Sequence, residues 1–317
     1  RYADKVYGWE VWNEPNLGPN QDVHDEYTAL FINTAEIIRK YDRDAKIFGI
    51  SIAEMNLRLN FVEKVLQNLK DKDKLHLMDY VSFHAYYHNP DYATADILAL
   101  RDLVQSFSKD IELFQGEAGC PSILEWGHAM PYHEWTEYSQ AKFVARRMIN
   151  DFALGLNSSI FTIVDHQYKN MLQSFGLLRA NLLKEIVYKR PSYYTVSHIA
   201  NILKYDMKPV PVTVETAHAR EIGSTGIADN EGNTIGVALW FKGNIPGDSL
   251  EKELVNITIN DLPIKNPVYV DAITGKIYRL PVYGGALTGG KFRCMNLPLW
   301  DSPIFIMDRS VIGFIPT

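Results

Sequence analysis

Short apolar runs alternate with longer amphipathic stretches over the first two thirds of the chain. The stretches place apolar residues on one helical face, as in Tyr27, Leu30, Phe31, Thr34, Ile38 and Tyr41. The runs are rich in β-branched and aromatic residues, which is typical of buried strands. They are Lys5–Trp12, Lys46–Ile52, Tyr80–Tyr87, Ile111–Gly116 and Ser158–Val164. Such alternation predicts a parallel sheet, either doubly wound or closed into a barrel.

The pattern changes near Tyr205, after a helix that is predicted to begin at Pro191. Strand-like runs separated by turn signals follow, with a hairpin turn predicted at Thr274-Gly275. These runs are Pro211–Thr216, Thr234–Phe241, Leu254–Asn260, Val268–Val282, Phe292–Leu297 and Ile304–Asp308. We therefore predict two domains, a strand–helix domain over residues 1–204 and an all-β sandwich over residues 205–317.

Composition narrows the range of partners. The 317 residues are 46% hydrophobic and 22% charged, which is an ordinary globular balance. A net charge of −6 without a basic stripe argues against nucleic-acid binding. No apolar run has the length of about 18 residues that a membrane span needs. Cys120 and Cys294 match no metal-ligand spacing, so we expect free thiols. The cellular compartment stays open.

The strongest chemical signal is Trp12-Asn13-Glu14-Pro15 at the end of the first strand run. Period-2 alternation would place Glu10, Trp12 and Glu14 on one face of that strand. Active sites of αβ barrels are built where strands end and loops begin. Glu14 is therefore a candidate catalytic carboxylate, and the simpler interpretation is an ordinary capping or salt-bridging glutamate.

A second carboxylate ends the fourth strand run, in Gln115-Gly116-Glu117-Ala118-Gly119. The small neighbours of Glu117 would let a ligand approach closely. Alone, Glu117 could be an acid that favours a helix N-terminus. Together with Glu14 it forms a pair that could serve as acid and nucleophile in glycoside cleavage.

These two motifs resemble the retaining glycoside hydrolases of clan A, and the segment Trp9–Asn16 with the trailing β-domain is similar to family 39. The resemblance implies a (β/α)8 TIM barrel in which the acid/base ends strand four and the nucleophile ends strand seven. Glu14 would then be the acid/base and Glu117 the nucleophile. The implied reaction is retaining hydrolysis of a β-glycosidic bond, for example in a β-xyloside from plant or bacterial polysaccharide, with no metal and no cofactor.

The resemblance also implies substrate contacts and a strand count. Asn13 would bond the sugar hydroxyl beside the anomeric carbon, while His84 and Tyr86 would support Glu117 or the sugar. If Glu14 ends strand four, the five runs are strands four to eight. We therefore expect strands one to three to come from an N-terminal continuation of the polypeptide or from another chain. Oligomeric state stays open.

Other candidates are less specific. The long loop from Cys120 to Trp135 carries Trp126 and Trp135, either of which could stack on a sugar or simply pack. Glu10 lies deeper in its strand and is interpreted as a buried structural carboxylate. One alternative is a metal-dependent barrel hydrolase that uses the following four residues: His84, His88, Asp165 and His166. Another is a non-catalytic sugar-binding protein that keeps the fold.

Overall fold

The computed structural model describes residues 5–17, 22–169, 171–260, 262–280 and 291–313, and the chain forms two compact units. Unit 1 contains the residues up to Tyr86, together with Tyr92–Ala118 and Leu156–Ser159. Unit 2 contains Tyr87–Asp91, Gly119–Gly155 and the residues from Ile160 onward. The boundary predicted at residue 205 lies within unit 2, and a domain division at that residue stays a prediction.

A curled five-stranded sheet, shaped like half of a barrel, is the centre of unit 1. Its strands are β1 (Gly8–Glu10), β2 (Lys46–Ile52), β3 (Tyr80–His84), β4 (Glu112–Ala118) and β5 (Ser158–Ile160). They lie side by side in chain order, and the pairings of β1 with β2, β2 with β3 and β3 with β4 are parallel. The predicted parallel sheet of five neighbouring strands is therefore present, and β1 is one of its edges.

Helices connect these strands, as the amphipathic stretches predict. They are α1 (His24–Tyr41), α2 (Met55–Asp71) and α3 (Ala93–Phe107), with a short 3-10 turn at Leu75–Leu77. In α1 the buried stripe is rotated from the predicted one, because Tyr27, Phe31 and Ala35 are buried while Leu30 is 41% and Tyr41 80% exposed. None of the helices in the described ranges is both long and apolar enough to cross a membrane.

Unit 2 begins its regular structure with helix α4 and a pair of short hairpins before helix α5. The elements are α4 (Glu137–Ala153), β6 (His166–Gln167), β7 (Leu172–Gln173), β8 (Leu178–Ala180), β9 (Ile186–Lys189) and α5 (Pro191–Ile202). Thr136 caps α4, because its hydroxyl accepts from the backbone N–H of Ser139 while the Ser139 hydroxyl accepts from the backbone N–H of Thr136. The helix predicted from Pro191 is confirmed.

The remainder of unit 2 consists of antiparallel strands. They are β10 (Lys208–Val210), β11 (Val214–Glu215), β12 (Ile222–Ala228), β13 (Thr234–Phe241), β14 (Glu253–Asn260), β15 (Pro267–Asp271), β16 (Ile277–Arg279), β17 (Lys291–Leu299) and β18 (Ile304–Asp308), followed by a 3-10 turn at Arg309–Val311. One sheet has the order β10-β12-β13-β18-β15-β16 and the other β11-β14-β17. The hairpin predicted at Thr274-Gly275 joins β15 to β16, whereas residues 281 and 282 of that predicted run lie outside the described residues.

A single apolar core joins the two antiparallel sheets to α4 and α5 within unit 2. Val237 and Phe305 come from the larger sheet, Ile257 comes from the smaller one, and Ala145 and Ile199 come from the helices. The two sheets therefore bury apolar faces, as the predicted sandwich requires, and the sandwich itself stays a prediction. Both cysteines are buried free thiols, as expected.

Candidate active site

Three side chains from neighbouring strand ends of unit 1 converge on one point. A carboxylate oxygen of Glu14, a ring nitrogen of His84 and a carboxylate oxygen of Glu117 all lie within 4.8 Å of one another. Glu14 follows β1, His84 ends β3 and Glu117 lies near the end of β4. The two glutamates that the sequence singles out are thus brought together at the carboxyl ends of parallel strands, where barrel enzymes carry their active sites.

Glu14 reaches this point from a loop rather than from a strand, so the alternation predicted for Glu10, Trp12 and Glu14 is wrong. β1 ends at Glu10, and both Trp12 (φ 67°) and Glu14 (φ 46°) have left-handed backbone conformations. The backbone N–H of Glu14 donates to the carbonyl of Ser51 at 3.2 Å. The buried Asn16 side chain exchanges two hydrogen bonds with the backbone of Ala53. The end of β2 therefore fixes the loop that carries Glu14.

His84 lies between the two carboxylates, and its side chain is fully buried. Its Nδ1 is 2.7 Å from Oε1 of Glu14 and 3.5 Å from Oε2 of Glu117. Its Nε2 is 3.1 Å from Oγ of Ser51. With Nδ1–H donating to the Glu14 carboxylate, Nε2 accepts from the Ser51 hydroxyl, so both ring nitrogens are satisfied. The ring orientation is therefore fixed from both sides.

Ser51 was missed by the sequence analysis, because it looks like one more residue in a buried strand. The pairing register between β2 and β3 shifts between Gly49 and Ile52. Within that shift Ile50 (φ 75°) and Ser51 (φ 47°) adopt left-handed conformations that are rare for residues other than glycine. A strand irregularity re-aims a side chain, and here the hydroxyl of Ser51 meets the His84 ring.

Glu117 is placed by a second irregularity. Phe83 pairs with Gln115, whereas the next residue, His84, pairs with Glu117, so Gly116 is the extra residue in β4. A Cβ atom on Gly116 would lie 2.4 Å from Oγ of Ser82, which is far too close. A side chain at position 116 would therefore displace Ser82 or β4 at the point where β4 turns Glu117 toward the site.

Burial raises the pKa of Glu117 above its ordinary value, and the charges of Glu14 and Glu10 add to this effect. The electrostatic effect of the neighbouring His84 and a hydrogen bond from Tyr86 oppose it and favour the ionised form. The Tyr86 hydroxyl donates to Oε2 of Glu117 at 2.9 Å. Tyr86 therefore contacts Glu117, as the resemblance implies, and His84 contacts both carboxylates.

One further expectation near this site is wrong. Glu10 is exposed and not buried, since it ends an edge strand whose other side has no neighbour among the described strands. Its carboxylate oxygen would lie 3.3 Å from a Cβ on Gly116. Asn13 is exposed beside Glu14, and its contact with a sugar hydroxyl stays a prediction.

The two tryptophans of the long loop between β4 and α4 have contrasting environments in unit 2. Trp126 is 71% exposed and lies edge-on to Tyr132 at 5.9 Å. Trp135 is only 3% exposed, contacts Phe143, and donates its indole N–H to the carbonyl of Met130 at 3.2 Å. The buried position leaves no open ring face on Trp135 for a sugar, so we keep Trp126 alone as a stacking candidate.

The metal-ligand set proposed as an alternative does not assemble as expected. Asp165 is fully buried and forms a two-point ion pair with Arg190, at 2.6 and 3.0 Å. His88 has its Nε2 3.0 Å from the carbonyl of Pro131, and His166 lies edge-on to Phe161 at 4.9 Å. The described residues that could share a metal ion are Glu14, His84 and Glu117.

Several solved structures similar to this chain are glycoside hydrolases. A family 51 α-L-arabinofuranosidase from Bifidobacterium longum is 13% identical with a TM-score of 0.61, covering 94% of this chain and 66% of that one. A glucosidase from Croceicoccus marinus is 14% identical with a TM-score of 0.60, covering 95% and 68%. A GH39 enzyme from Xanthomonas axonopodis pv. citri is 16% identical with a TM-score of 0.59, covering 96% and 69%.

This chain thus spans about two thirds of the length of these three neighbours. No protein-family model and no curated protein sequence matches it. At such low sequence identity the likeness concerns the fold alone: this chain has a curled half-barrel sheet, and its neighbours are TIM-barrel glycoside hydrolases.

Proposed function

We propose that this chain carries the catalytic carboxylates of a retaining glycoside hydrolase, with Glu14 as the acid/base and Glu117 as the nucleophile. The observation that carries the proposal is the short distance between the two carboxylates, since one oxygen of each lies within 4.8 Å of the other. Retaining enzymes need the two groups about 5–5.5 Å apart, whereas inverting enzymes place them roughly 6.5–9.5 Å apart to hold a water. The short separation favours direct attack by a side chain.

In the first step an oxygen of Glu117 attacks the anomeric carbon, and the bond from that carbon to the leaving oxygen breaks. Glu14 gives its proton to the leaving oxygen. A proton on Oε2 of Glu14 is compatible with the observed contact between Oε1 and His84. The attack requires an ionised Glu117, which the hydrogen bond from Tyr86 favours.

In the second step Glu14 acts as the base. It removes a proton from a water molecule whose oxygen attacks the anomeric carbon, and the ester bond to Glu117 breaks. His84 contacts Oε1 of Glu14, so it can donate to the carboxylate that forms when Glu14 loses its proton. No redox step occurs, and water is the only co-reactant.

The substrate class that the fold and the family resemblance favour is an oligosaccharide or aryl glycoside with a β-linked sugar such as xylose. Trp126 offers an exposed aromatic face on the loop after β4, which suits a sugar ring. Asn13 would bond the hydroxyl beside the anomeric carbon. The alternative hypothesis is a sugar-binding protein of the same fold that does not hydrolyse its ligand.

A panel of chromogenic glycosides tests the proposal, and two variants separate catalysis from binding. Glu117→Ala should abolish turnover, and azide should restore it by forming a glycosyl azide of inverted configuration. Glu14→Ala should spare substrates with activated leaving groups, since these need little protonation to depart. Exposed Glu63 provides the matched control Glu63→Ala, which should retain full activity. If the protein binds glycosides but hydrolyses none of them, the result would favour the alternative hypothesis of a sugar-binding protein.

A further inference from the structure

The catalytic cluster of unit 1 also has the composition of a transition-metal site. Glu14 and Glu117 offer carboxylate oxygens and His84 offers a ring nitrogen, all within 4.8 Å of one another. Imidazole together with carboxylate suits Zn²⁺ and Co²⁺, whereas Mg²⁺ and Ca²⁺ prefer oxygen ligands alone. We propose that these three residues bind one divalent transition-metal ion, and that the bound ion inhibits the enzyme.

The distances are close to those of a coordinated ion. Bonds of about 2.0–2.2 Å to Zn²⁺ place neighbouring ligand atoms about 3–3.5 Å apart. Nδ1 of His84 is 2.7 Å from Oε1 of Glu14 and 3.5 Å from Oε2 of Glu117. The two carboxylates, which each have one oxygen within 4.8 Å of the other, need to move by about 1 Å, which small side-chain rotations provide.

Neighbouring groups already orient the three ligands. When Nδ1 of His84 binds a metal, Nε2 carries the proton and donates to Oγ of Ser51, which lies 3.1 Å away. The Tyr86 hydroxyl donates to Oε2 of Glu117. Metal-bound histidines usually donate their other N–H to such a partner, and bound carboxylates are likewise hydrogen-bonded. The full burial of the His84 side chain prevents the ring from turning away.

Electrostatics favours a cation at this point. Two carboxylates lie close together, with one oxygen of each within 4.8 Å of the other, so their negative charges can be shared by one cation. Over the described residues, neither carboxylate forms an ion pair with a lysine or an arginine, and both lie near Nδ1 of His84. The side chains of Glu14 and Glu117 are 23% and 26% exposed, so an ion and its water ligands can enter from solvent.

A bound ion would block both proposed chemical roles. Its bonds would occupy the oxygen of Glu117 that attacks and the carboxylate of Glu14 that carries the proton. Inhibition by Zn²⁺ should therefore be competitive with substrate. This inhibitory part rests on the proposed function, whereas metal binding does not.

Calorimetric titration of the chelator-treated protein with ZnCl₂ tests the binding directly, without substrate. We expect one ion per chain, and Co²⁺ should give a visible absorption spectrum that Zn²⁺ abolishes. Glu14→Gln, Glu117→Gln and His84→Gln should each weaken binding at least about 10-fold. The exposed residues Glu63 and His76 provide the matched controls Glu63→Gln and His76→Gln, which should bind normally.

Two results would overturn the proposal: no saturable Zn²⁺ binding, or binding that all three ligand variants retain. If His84→Gln fails to fold, Glu14→Gln and Glu117→Gln, whose side chains are partly exposed, still test the proposal. Activation of hydrolysis by Zn²⁺ would overturn the inhibitory part and favour a metal-dependent hydrolase. A protein that binds Zn²⁺ but hydrolyses no glycoside would contradict the proposed function and leave the metal site standing.

Discussion

Tyr86 donates its hydroxyl to Oε2 of Glu117 across 2.9 Å, from the segment after β3 to the neighbouring strand β4. The bond matters because burial raises the pKa of Glu117, and a raised pKa reduces the ionised fraction that a nucleophile needs. A donor to the carboxylate stabilises its charged form. Tyr86 thus offsets part of the effect of burial on the carboxylate of Glu117, the residue that we propose as the nucleophile.

Tyr86→Phe should lower kcat on chromogenic glycosides by about 10–100-fold, because a hydrogen bond to a charged group contributes roughly 1.5–3 kcal/mol. The ring remains, so the fold and the thermal midpoint should change little. Tyr41 is 80% exposed in α1, and Tyr41→Phe is the matched control with unchanged kcat. An unaltered kcat in Tyr86→Phe would show that the hydroxyl has no part in catalysis.

Gly116→Ala should impair both stability and activity. Its Cβ would lie 2.4 Å from Oγ of Ser82, so either β4 or Ser82 has to move. Overpacking of this kind costs about 1–3 kcal/mol of unfolding free energy. Because Gly116 is the extra residue in β4, the shift also displaces Glu117. Urea unfolding and kcat/KM measure the two effects.

Gly127 provides the matched control, since a Cβ there would meet no atom within 4 Å. Gly127→Ala should change stability by less than about 0.5 kcal/mol. Equal effects of the two substitutions would contradict the assignment of Gly116 as a site where backbone and side chains crowd.

The sequence predicts the parts of this molecule that depend on the periodicity of apolar residues and on short motifs that contain proline or glycine. Alternating apolar runs located all five strands of the unit 1 sheet, and Pro191 marked the start of α5. Glu14 and Glu117 were found because each stands beside a residue with restricted or unusual backbone freedom, Pro15 or Gly116. Local pattern was sufficient for these features.

The missed features depend on partners that are distant in sequence. Ser51 reaches the ring of His84 only because β2 is irregular at Ile50. No local sequence pattern indicates a left-handed conformation at a β-branched residue. Trp126 and Trp135 lie in one loop and look alike in sequence, yet one is exposed and the other buried. Tertiary packing decides such cases.

Acid should destabilise unit 2 through Asp91. Burial alone would raise its pKa, but Arg146, Asn150 and the backbone N–H of Gly243 outweigh burial and hold the pKa below its ordinary value of 3.8. A lowered pKa in the folded state adds stability above pH 3.8, and this stability is lost as the pH falls through the folded-state pKa. Chemical unfolding between pH 7 and pH 2.5 should show the loss.

Asp91→Asn should remove that acid dependence. It also leaves the fully buried Arg146 without its anionic partner, which costs about 3–5 kcal/mol at neutral pH. Asp110 is exposed, and Asp110→Asn serves as a control that should stay within about 0.5 kcal/mol of the parent protein. An Asp91→Asn protein with parental stability at pH 7 would be incompatible with this account.

Substitution of the two loop tryptophans should have different effects, on substrate binding for Trp126 and on stability for Trp135. Glu125, next to Trp126, accepts a hydrogen bond from the backbone N–H of Ser174, so the loop is held in place while the Trp126 ring stays 71% exposed. Trp126→Ala should therefore raise KM roughly 2–10-fold, as expected for loss of one aromatic stacking contact, with little change in stability. Trp135→Ala should instead cost about 3–5 kcal/mol of unfolding free energy, because it empties a buried site. Steady-state kinetics and urea unfolding on both variants measure the contrast, and an unchanged KM in Trp126→Ala would remove this residue from the substrate site.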